Sequence, residues 1–138
     1  MEKQIRDLKE MKKFAAEFGK TLKGGEIIAL KGELGAGKTA FVKFLLSSKG
    51  IDKKILSPTF VLMVPYKKSG EVYYHMDLYR TKSIKEIRAL GTDQLWGKKN
   101  NIFLIEWADK IKKHLPKSKT TFIKFRIKGH GRVLEIKK

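Results

Sequence analysis

The sequence predicts an α/β fold: a mixed sheet flanked by helices in a three-layer α/β/α arrangement, closed by a C-terminal antiparallel hairpin. Three observations lead to this prediction. Apolar residues recur at helical spacing near the N-terminus, short unbroken apolar runs alternate with helical segments, and two strictly alternating segments come last. With 138 residues, of which 41% are apolar, we expect a single domain spanning residues 1–138.

The first half of the chain reads as helix, strand, loop and helix. Seven apolar residues at helical spacing predict a helix within residues 5–22, which a Gly-Gly pair ends. Residues 26–31 form an apolar run without alternation, which is typical of a strand buried on both faces. A glycine-rich loop over 32–37 then precedes a second helix over 38–48.

The second half of the chain adds most of the predicted strands. After a break at residues 57–58, two strands over 60–66 and 71–77 flank a turn and form a hairpin. The remaining predicted elements are a short helix, a buried strand and the two strands of the closing hairpin: residues 83–90, 102–107, 120–128 and 132–137.

The charge is strongly positive, and lysine supplies nearly all of it. Of 32 basic residues 27 are lysine, against 14 acidic residues, and the net charge is +18. Half of that net charge lies in residues 108–138. The pattern predicts either a surface that faces RNA or an acidic partner, or a general lysine bias. Arginine, which nucleic-acid sites usually favour, is sparse, so both interpretations stay open.

Several classes of site are excluded by composition. Without cysteine there is no disulfide, thiolate metal site, iron–sulfur cluster or cysteine nucleophile. The three histidines are too widely spaced to suggest a histidine metal cluster. The longest strictly apolar runs are too short for a transmembrane helix or a signal-peptide core, so we expect a cytoplasmic protein with no membrane association.

A phosphate-binding loop stands out at residues 32–39, GELGAGKT, which fit the P-loop pattern G-x-x-x-x-G-K-[ST]. The glycines let backbone N–H groups curl around phosphate oxygens, and the following helix adds its positive N-terminal end. Lys38 would reach the β- and γ-phosphates, and Thr39 would offer its hydroxyl to Mg²⁺. The predicted strand before the loop and helix after it are the context of P-loop nucleoside triphosphatases.

Two carboxylates end apolar strands. Asp77 closes one predicted strand, and Glu106 lies next to the end of another. Ligands of open α/β sheets bind at the carboxyl ends of the strands, so we expect both acids near the loop, completing a magnesium site with Thr39. His75 lies two residues before Asp77; it either supports this site or is an ordinary core or surface histidine.

Four strings in this order resemble the bacterial TsaE family: GELGAGKT at 32–39, SPTF at 57–60, HMDLYR at 75–80 and IEW at 105–107. These are small P-loop ATPases of tRNA threonylcarbamoyladenosine synthesis. The resemblance implies catalytic roles for Lys38, Thr59, Asp77 and Glu106, with Thr59 in a switch-like loop near the γ-phosphate. It implies metal contacts for Thr39, Asp77 and Glu106.

The resemblance also implies the nucleotide contacts and the biological role. The implied nucleotide-binding residues are Gly32, Gly35, Ala36, Gly37, Lys38, Thr39, Ala40, Trp107 and Arg132. The N-terminal helix would help to close the adenine pocket. The implied function is that of an ATP-binding, Mg²⁺-dependent ATPase, weak when alone, that acts with the TsaB–TsaD heterodimer in making threonylcarbamoyladenosine at position 37 of tRNA. Contact with tRNA would be indirect, or direct through the lysine-rich surface. The isolated chain would be a monomer or self-associate weakly.

Three other functions are weighed against this one. A GTPase would carry the guanine-reading Asn-Lys-x-Asp string, which is absent. A small-molecule kinase usually has an arginine-bearing lid, but only Arg80 and Arg88 lie between the loop and the C-terminal strands. A basic RNA-binding module with an incidental loop would keep its RNA affinity when Lys38 is replaced by alanine.

Overall fold

The computed structural model describes residues 1–52 and 63–138, and it confirms the predicted fold class. Seven strands form one mixed sheet with helices packed on it. The strands are β1 Glu2–Ile5, β2 Ile27–Gly32, β3 Met63–Lys68, β4 Glu71–Asp77, β5 Asn101–Glu106, β6 Thr120–Lys128 and β7 Gly131–Lys137. The α-helices are α1 Leu8–Lys20, α2 Lys38–Ser48 and α3 Ile84–Leu90, and short 3-10 helices lie at Thr92–Leu95, Ala108–His114 and Lys117–Lys119.

The strand order β1-β7-β6-β2-β5-β4-β3 places a parallel core between antiparallel edges. Strand β2 runs parallel to β5 and β6, and β4 runs parallel to β5, whereas β3, β7 and β1 are antiparallel to their neighbours. Leu30 and Asp77 each pair in register with Glu106. The carboxyl ends of β2, β4 and β5 therefore meet at one edge of the sheet.

Helices cover the sheet on two faces, which divides the core in two. On one face α1 and α2 pack with the sheet around Phe14, Phe41 and Phe125, whose ring centroids lie 5.7–5.8 Å apart in successive pairs. On the other face α3 and the 3-10 helix Ala108–His114 pack on β2, β4 and β5. Strand β2 contributes side chains to both cores, so its apolar residues do not alternate with polar ones.

The N-terminus differs from the prediction, because Ile5 belongs to strand β1 and the first helix begins at Leu8. Asp7 caps the helix, and its side chain accepts a hydrogen bond of 2.9 Å from the N–H of Glu10. Strand β1 is held by pairing with β7, where Ile5 lies opposite Arg132. Only Ile5 in β1 is buried, so the strand carries no alternating signal.

The two hairpins follow from their turn residues. Ser69 and Gly70 join β3 and β4, and both have positive φ, 51° and 83°, as a type I′ turn requires. Strand β3 therefore reaches Lys68, two residues beyond its predicted end, and its predicted start lies outside the described residues. The C-terminal hairpin of β6 and β7 is confirmed. None of the helices within the described ranges is long and apolar enough to cross a membrane.

Candidate functional site

The loop between β2 and α2 depends on glycines for its backbone path. Gly35 and Gly37 have φ of 80° and 105°, backbone angles that residues with a side chain rarely adopt. At Gly32 a Cβ atom would lie 2.6 Å from the carbonyl oxygen of Phe125. Ala36 is buried beneath the curl. The loop can therefore curl tightly at the N-terminal end of α2. Backbone N–H groups at a helix N-terminus favour the binding of an anion.

Lys38, the first residue of α2, lies inside this curl and is only 4% exposed. Its ammonium donates to the backbone carbonyls of Gly32 and Glu33, the latter at 3.3 Å. It also lies 3.9 Å from the ring centroid of Trp107, a cation–π contact. Burial lowers the pKa of Lys38, while the charges of Glu106 and Asp77 oppose that shift. The lysine is thus a poorly hydrated cation close to two carboxylates.

Glu106 is the centre of a buried polar cluster. Its two carboxylate oxygens accept from the hydroxyl of Thr39 at 2.9 and 3.1 Å. His75 Nε2 lies 2.6 Å from the same carboxylate, to which its N–H donates in the Nε2-protonated form of the ring. Glu106 is 3% exposed and His75 is fully buried. The helix and two adjacent strands thereby fix the position of one carboxylate at the mouth of the loop.

Asp77 lies beside Glu106 on the neighbouring strand and is only partly buried. Burial raises the pKa of Asp77 and the nearby Glu106 charge adds to this rise, against a hydrogen bond of 2.9 Å from the N–H of Tyr79. Two acids at adjacent strand ends repel each other when both are ionised, and a cation between them would relieve that repulsion.

These donors fit Mg²⁺. Within the described residues no group of three or more His, Cys, Asp or Glu side chains could hold a metal alone. Mg²⁺ rarely uses such a cage; it takes one or two carboxylates, water and the substrate's phosphates. The Thr39 hydroxyl and the carboxylates of Asp77 and Glu106 are hard oxygen donors of this kind.

These groups open into a cavity of about 590 Å³, within the usual range for small-molecule sites. One wall is the loop, and another carries Asp77, Glu106 and Trp107. The far side is formed by the β1–α1 segment with Met11, and by the turn between β6 and β7. There the guanidinium of Arg132 donates to the carbonyl of Gly35 at 2.9 Å, tying the turn to the loop.

Most of the sequence-derived candidates lie together here. Gly32 begins the loop, and the cavity is lined by Gly35, Ala36, Gly37, Lys38, Thr39, Ala40, Asp77, Glu106, Trp107 and Arg132. Thr59 lies outside the described residues. Several other lining residues were not predicted individually, among them Arg6, Asp7, Leu8 and His130. These four come from the β1–α1 segment and from the turn before Arg132, and the family resemblance implies that both regions lie near the nucleotide.

Trp107 has an unusual backbone that positions it at the site. Strand β5 ends at Glu106, one residue before the predicted end, because Trp107 is left-handed with φ 59°. The indole thereby stands over Lys38, with its ring centroid 5.0 Å from that of Tyr79. A bulky residue with positive φ is uncommon and often marks a functional position.

The fold and the site define an α/β protein of the P-loop class. The features that define it are a buried strand, a lysine at a helix N-terminus inside a glycine-rich loop, and two carboxylates at adjacent strand ends. Residues 5–134 match the family model described as "Threonylcarbamoyl adenosine biosynthesis protein TsaE". The chain therefore belongs to the TsaE family.

Individual relatives agree with the family model. A protein of Rickettsia bellii named "tRNA threonylcarbamoyladenosine biosynthesis protein TsaE" is 44% identical over 108 residues, covering 78% of this chain and 74% of the relative. A Borreliella burgdorferi protein of the same name is 33% identical over 133 residues, 96% of each chain. The crystal structure of YdiB from Bacillus subtilis superposes with a TM-score of 0.71 at 27% identity, covering 97% of this chain and 82% of that one.

Proposed function

We propose that this chain is a cytoplasmic, Mg²⁺-dependent ATPase that assists threonylcarbamoyladenosine formation at position 37 of tRNA, together with the TsaB–TsaD heterodimer. The observation that carries the ATPase proposal is the convergence of Lys38, Thr39, Asp77 and Glu106 on one cavity beside the loop. The names of the relatives support the pathway, since each refers to tRNA threonylcarbamoyladenosine biosynthesis.

The triphosphate would bind in the curl of the loop. Backbone N–H groups and the N-terminal end of α2 would meet its oxygens. The Lys38 ammonium, now held by the carbonyls of Gly32 and Glu33, would exchange them for the β- and γ-phosphate oxygens. Because the lysine is already desolvated, it would interact more strongly with phosphate than a fully hydrated one.

The metal would bind next to the γ-phosphate. Thr39 would turn its hydroxyl from Glu106 towards Mg²⁺, and Glu106, steadied by His75, would help to hold the ion. An ion held by these residues would supply positive charge that offsets the negative charge developing on the transferred phosphoryl group. The more accessible Asp77 would orient the attacking or a metal-bound water, and Thr59 would act near the γ-phosphate.

The remaining cavity walls would receive the nucleoside. Met11 and the β1–α1 segment offer apolar surface for adenine, and Arg132 and Trp107 stand closer to the phosphates. Because the guanine-reading string is absent from the sequence, ATP is favoured over GTP.

Turnover by the chain alone would be slow. Arg132 is tied to the backbone carbonyls of Gly131 and Gly35, at 2.8 and 2.9 Å, and its guanidinium is not available to act as an arginine finger without rearrangement. Such fingers contribute about 10³–10⁵ in rate. A partner would complete the site, which is consistent with an accessory ATPase that turns over in a complex.

The test is ATP turnover with and without TsaB–TsaD, with GTP as competitor. Wild type should be stimulated by the complex, and Lys38→Ala, Asp77→Asn and Glu106→Gln should each lose at least about 10²-fold, the scale of one transition-state contact. Glu17→Gln, an exposed change on α1, is the control and should behave as wild type. Undiminished turnover in any of the three variants would remove that residue from the mechanism, and equal competition by GTP would refute the adenine preference.

A further inference from the structure

One side of the sheet edge carries a lysine cluster that the nucleotide site does not use. Strand alternation puts Lys31 of β2, Lys124 and Lys128 of β6, and Lys137 of β7 on the side of the sheet opposite α1 and α2. All four are exposed. We call these four residues, with Lys112 of the neighbouring 3-10 helix and Phe122 of β6, the lysine face.

The strand register places two lysines of this face side by side, and on its other side Lys124 lies opposite Glu135 of β7. Lys31 lies directly opposite Lys124 on the adjacent strand. Like charges in directly opposed positions destabilise a sheet. Neither lysine has a carboxylate within 4.0 Å among the described residues. The pairing is explained more readily by an anionic ligand than by folding.

The acidic residues on this side of the outer strands already form ion pairs within the chain. Glu2 of β1 and Glu135 of β7 are the acidic residues of β1, β6 and β7 there. Both pair with Arg126, at 3.3 and 3.0 Å. Arg126 is thus shared by two carboxylates, and the lysines of the face, which none of these ion pairs includes, still leave this side with a net positive charge.

An aromatic ring lies among these charges. Phe122 is half-buried and lies opposite Lys137 in register, with the Lys112 ammonium 5.4 Å from its ring centroid. Phe122 also packs against the buried core on this side of the sheet, so its role in the lysine face is to hold the Lys112 ammonium there.

We propose that the lysine face binds the phosphodiester backbone of RNA. Lysine contacts phosphates readily, whereas the cores of protein–protein interfaces are depleted of it, which favours RNA over an acidic protein. The choice of RNA among polyanions rests on the proposed function in tRNA modification. Lys31 immediately precedes Gly32, the first residue of the phosphate-binding loop, so the two sites share strand β2.

The experiment compares two triple variants that remove the same charge. Lys31→Gln/Lys124→Gln/Lys128→Gln alters the face, whereas Lys12→Gln/Lys13→Gln/Lys20→Gln alters exposed lysines of α1. Affinity for unmodified tRNA is measured by fluorescence anisotropy without nucleotide, over about 50–200 mM salt, where phosphate contacts change affinity steeply. Poly-glutamate and anionic vesicles serve as competing polyanions.

The face variant should bind tRNA about tenfold or more weakly than the α1 variant, with a salt slope flatter by about 2, since each phosphate contact contributes about 0.7–0.9. Its thermal midpoint should change little, because the variant removes both the like-charge pair Lys31–Lys124 and the opposite-charge pair Lys124–Glu135. Equal weakening in both triples, no wild-type binding tighter than about 10⁻⁴ M, or equal displacement by poly-glutamate or vesicles would overturn the proposal.

Two further measurements separate RNA binding by the lysine face from nucleotide binding and from misfolding. Mg²⁺–ATP binding should be retained by the face variant, so a loss of RNA affinity cannot be ascribed to the nucleotide site. Should the triple variant fail to fold, Lys124→Gln alone is compared with Lys12→Gln, and an equal effect on tRNA affinity would refute the proposal. RNA binding in a chain without ATPase activity would contradict the proposed function and leave this inference standing.

Discussion

Replacing His75 with leucine should destabilise the protein chiefly by depriving Glu106 of a donor. His75 is fully buried and its Nε2 lies 2.6 Å from the carboxylate of Glu106, which is 3% exposed. Leucine fills a similar volume, so little cavity is created. A hydrogen bond to a charged group contributes about 1.5–3 kcal/mol to the free energy of unfolding.

We expect the free energy of unfolding to fall by about 3 kcal/mol and not more, because Thr39 still donates to the carboxylate. This is a large part of a typical stability of about 5–15 kcal/mol and corresponds to a fall in Tm of roughly 10 °C. Urea unfolding of His75→Leu, Glu106→Gln and the double variant gives the coupling energy, which should exceed about 1 kcal/mol. His130→Leu, at an exposed histidine, is the control and should change stability by less than about 0.5 kcal/mol.

If the destabilisation of the double variant equals the sum of the two single effects within about 0.5 kcal/mol, the contact between His75 and Glu106 does not stabilise the fold. The same variants test its role in the site. His75→Leu should weaken Mg²⁺-dependent ATP binding more than Mg²⁺-free binding, because the histidine contacts Glu106, the proposed metal ligand, and not the loop.

Three further predictions concern the loop, the second carboxylate and the indole. Asp77→Asn should raise the Tm of the nucleotide-free chain at pH 7. Burial raises the pKa of Asp77, so the folded wild type loses stability as the pH rises above the ordinary aspartate pKa of about 3.9. Below that pH the wild type and the variant should have the same Tm. Gly32→Ala should cost about 1–3 kcal/mol, read from chemical unfolding, because the new Cβ would lie 2.6 Å from the Phe125 carbonyl. Binding of Mg²⁺–ATP should change the fluorescence of Trp107, which lines the cavity, so Trp107→Phe should abolish a signal that Trp96→Phe preserves.

Each of these predictions has a contrary outcome. A Tm difference for Asp77→Asn that does not vary with pH would show that the carboxylate is not disfavoured by its surroundings. Gly129 also has positive φ but nothing within 4 Å of its Cβ position, so an equal cost for Gly129→Ala would remove the steric argument. A fluorescence change lost in Trp96→Phe would assign the signal to the core indole, whose ring centroid is 6.5 Å from that of Phe103.

The sequence predicted the parts of the fold whose signal is local. Strand β2 is apolar throughout, and its neighbour β5 is buried from end to end, so both stand out from a few residues. The loop pattern and the acids at the strand ends follow from chemistry that requires those residue types. Their grouping at one sheet edge was expected because parallel strands end on the same side.

What the sequence did not give depends on contacts between distant parts of the chain. Strand β1 exists through backbone pairing with β7, about 130 residues away, and its own side chains are mostly exposed. The contact of His75 with Glu106 depends on the register of β4 against β5, which alternation alone leaves open. The left-handed turn at Trp107 contradicts local preference and is imposed by its surroundings.

The pairing of β1 with β7 also governs when the nucleotide cavity can exist during synthesis. The backbone of Met1 exchanges hydrogen bonds with Ile136, and the segment after β1 lines the cavity. On the ribosome, β1 is made about 130 residues before β7 and has no strand to pair with until β7 follows. A nascent chain that reaches only residue 130 would carry the phosphate-binding loop but would lack Gly131, Arg132 and the strand that holds β1, so we expect ATP to bind only after β7 has been made.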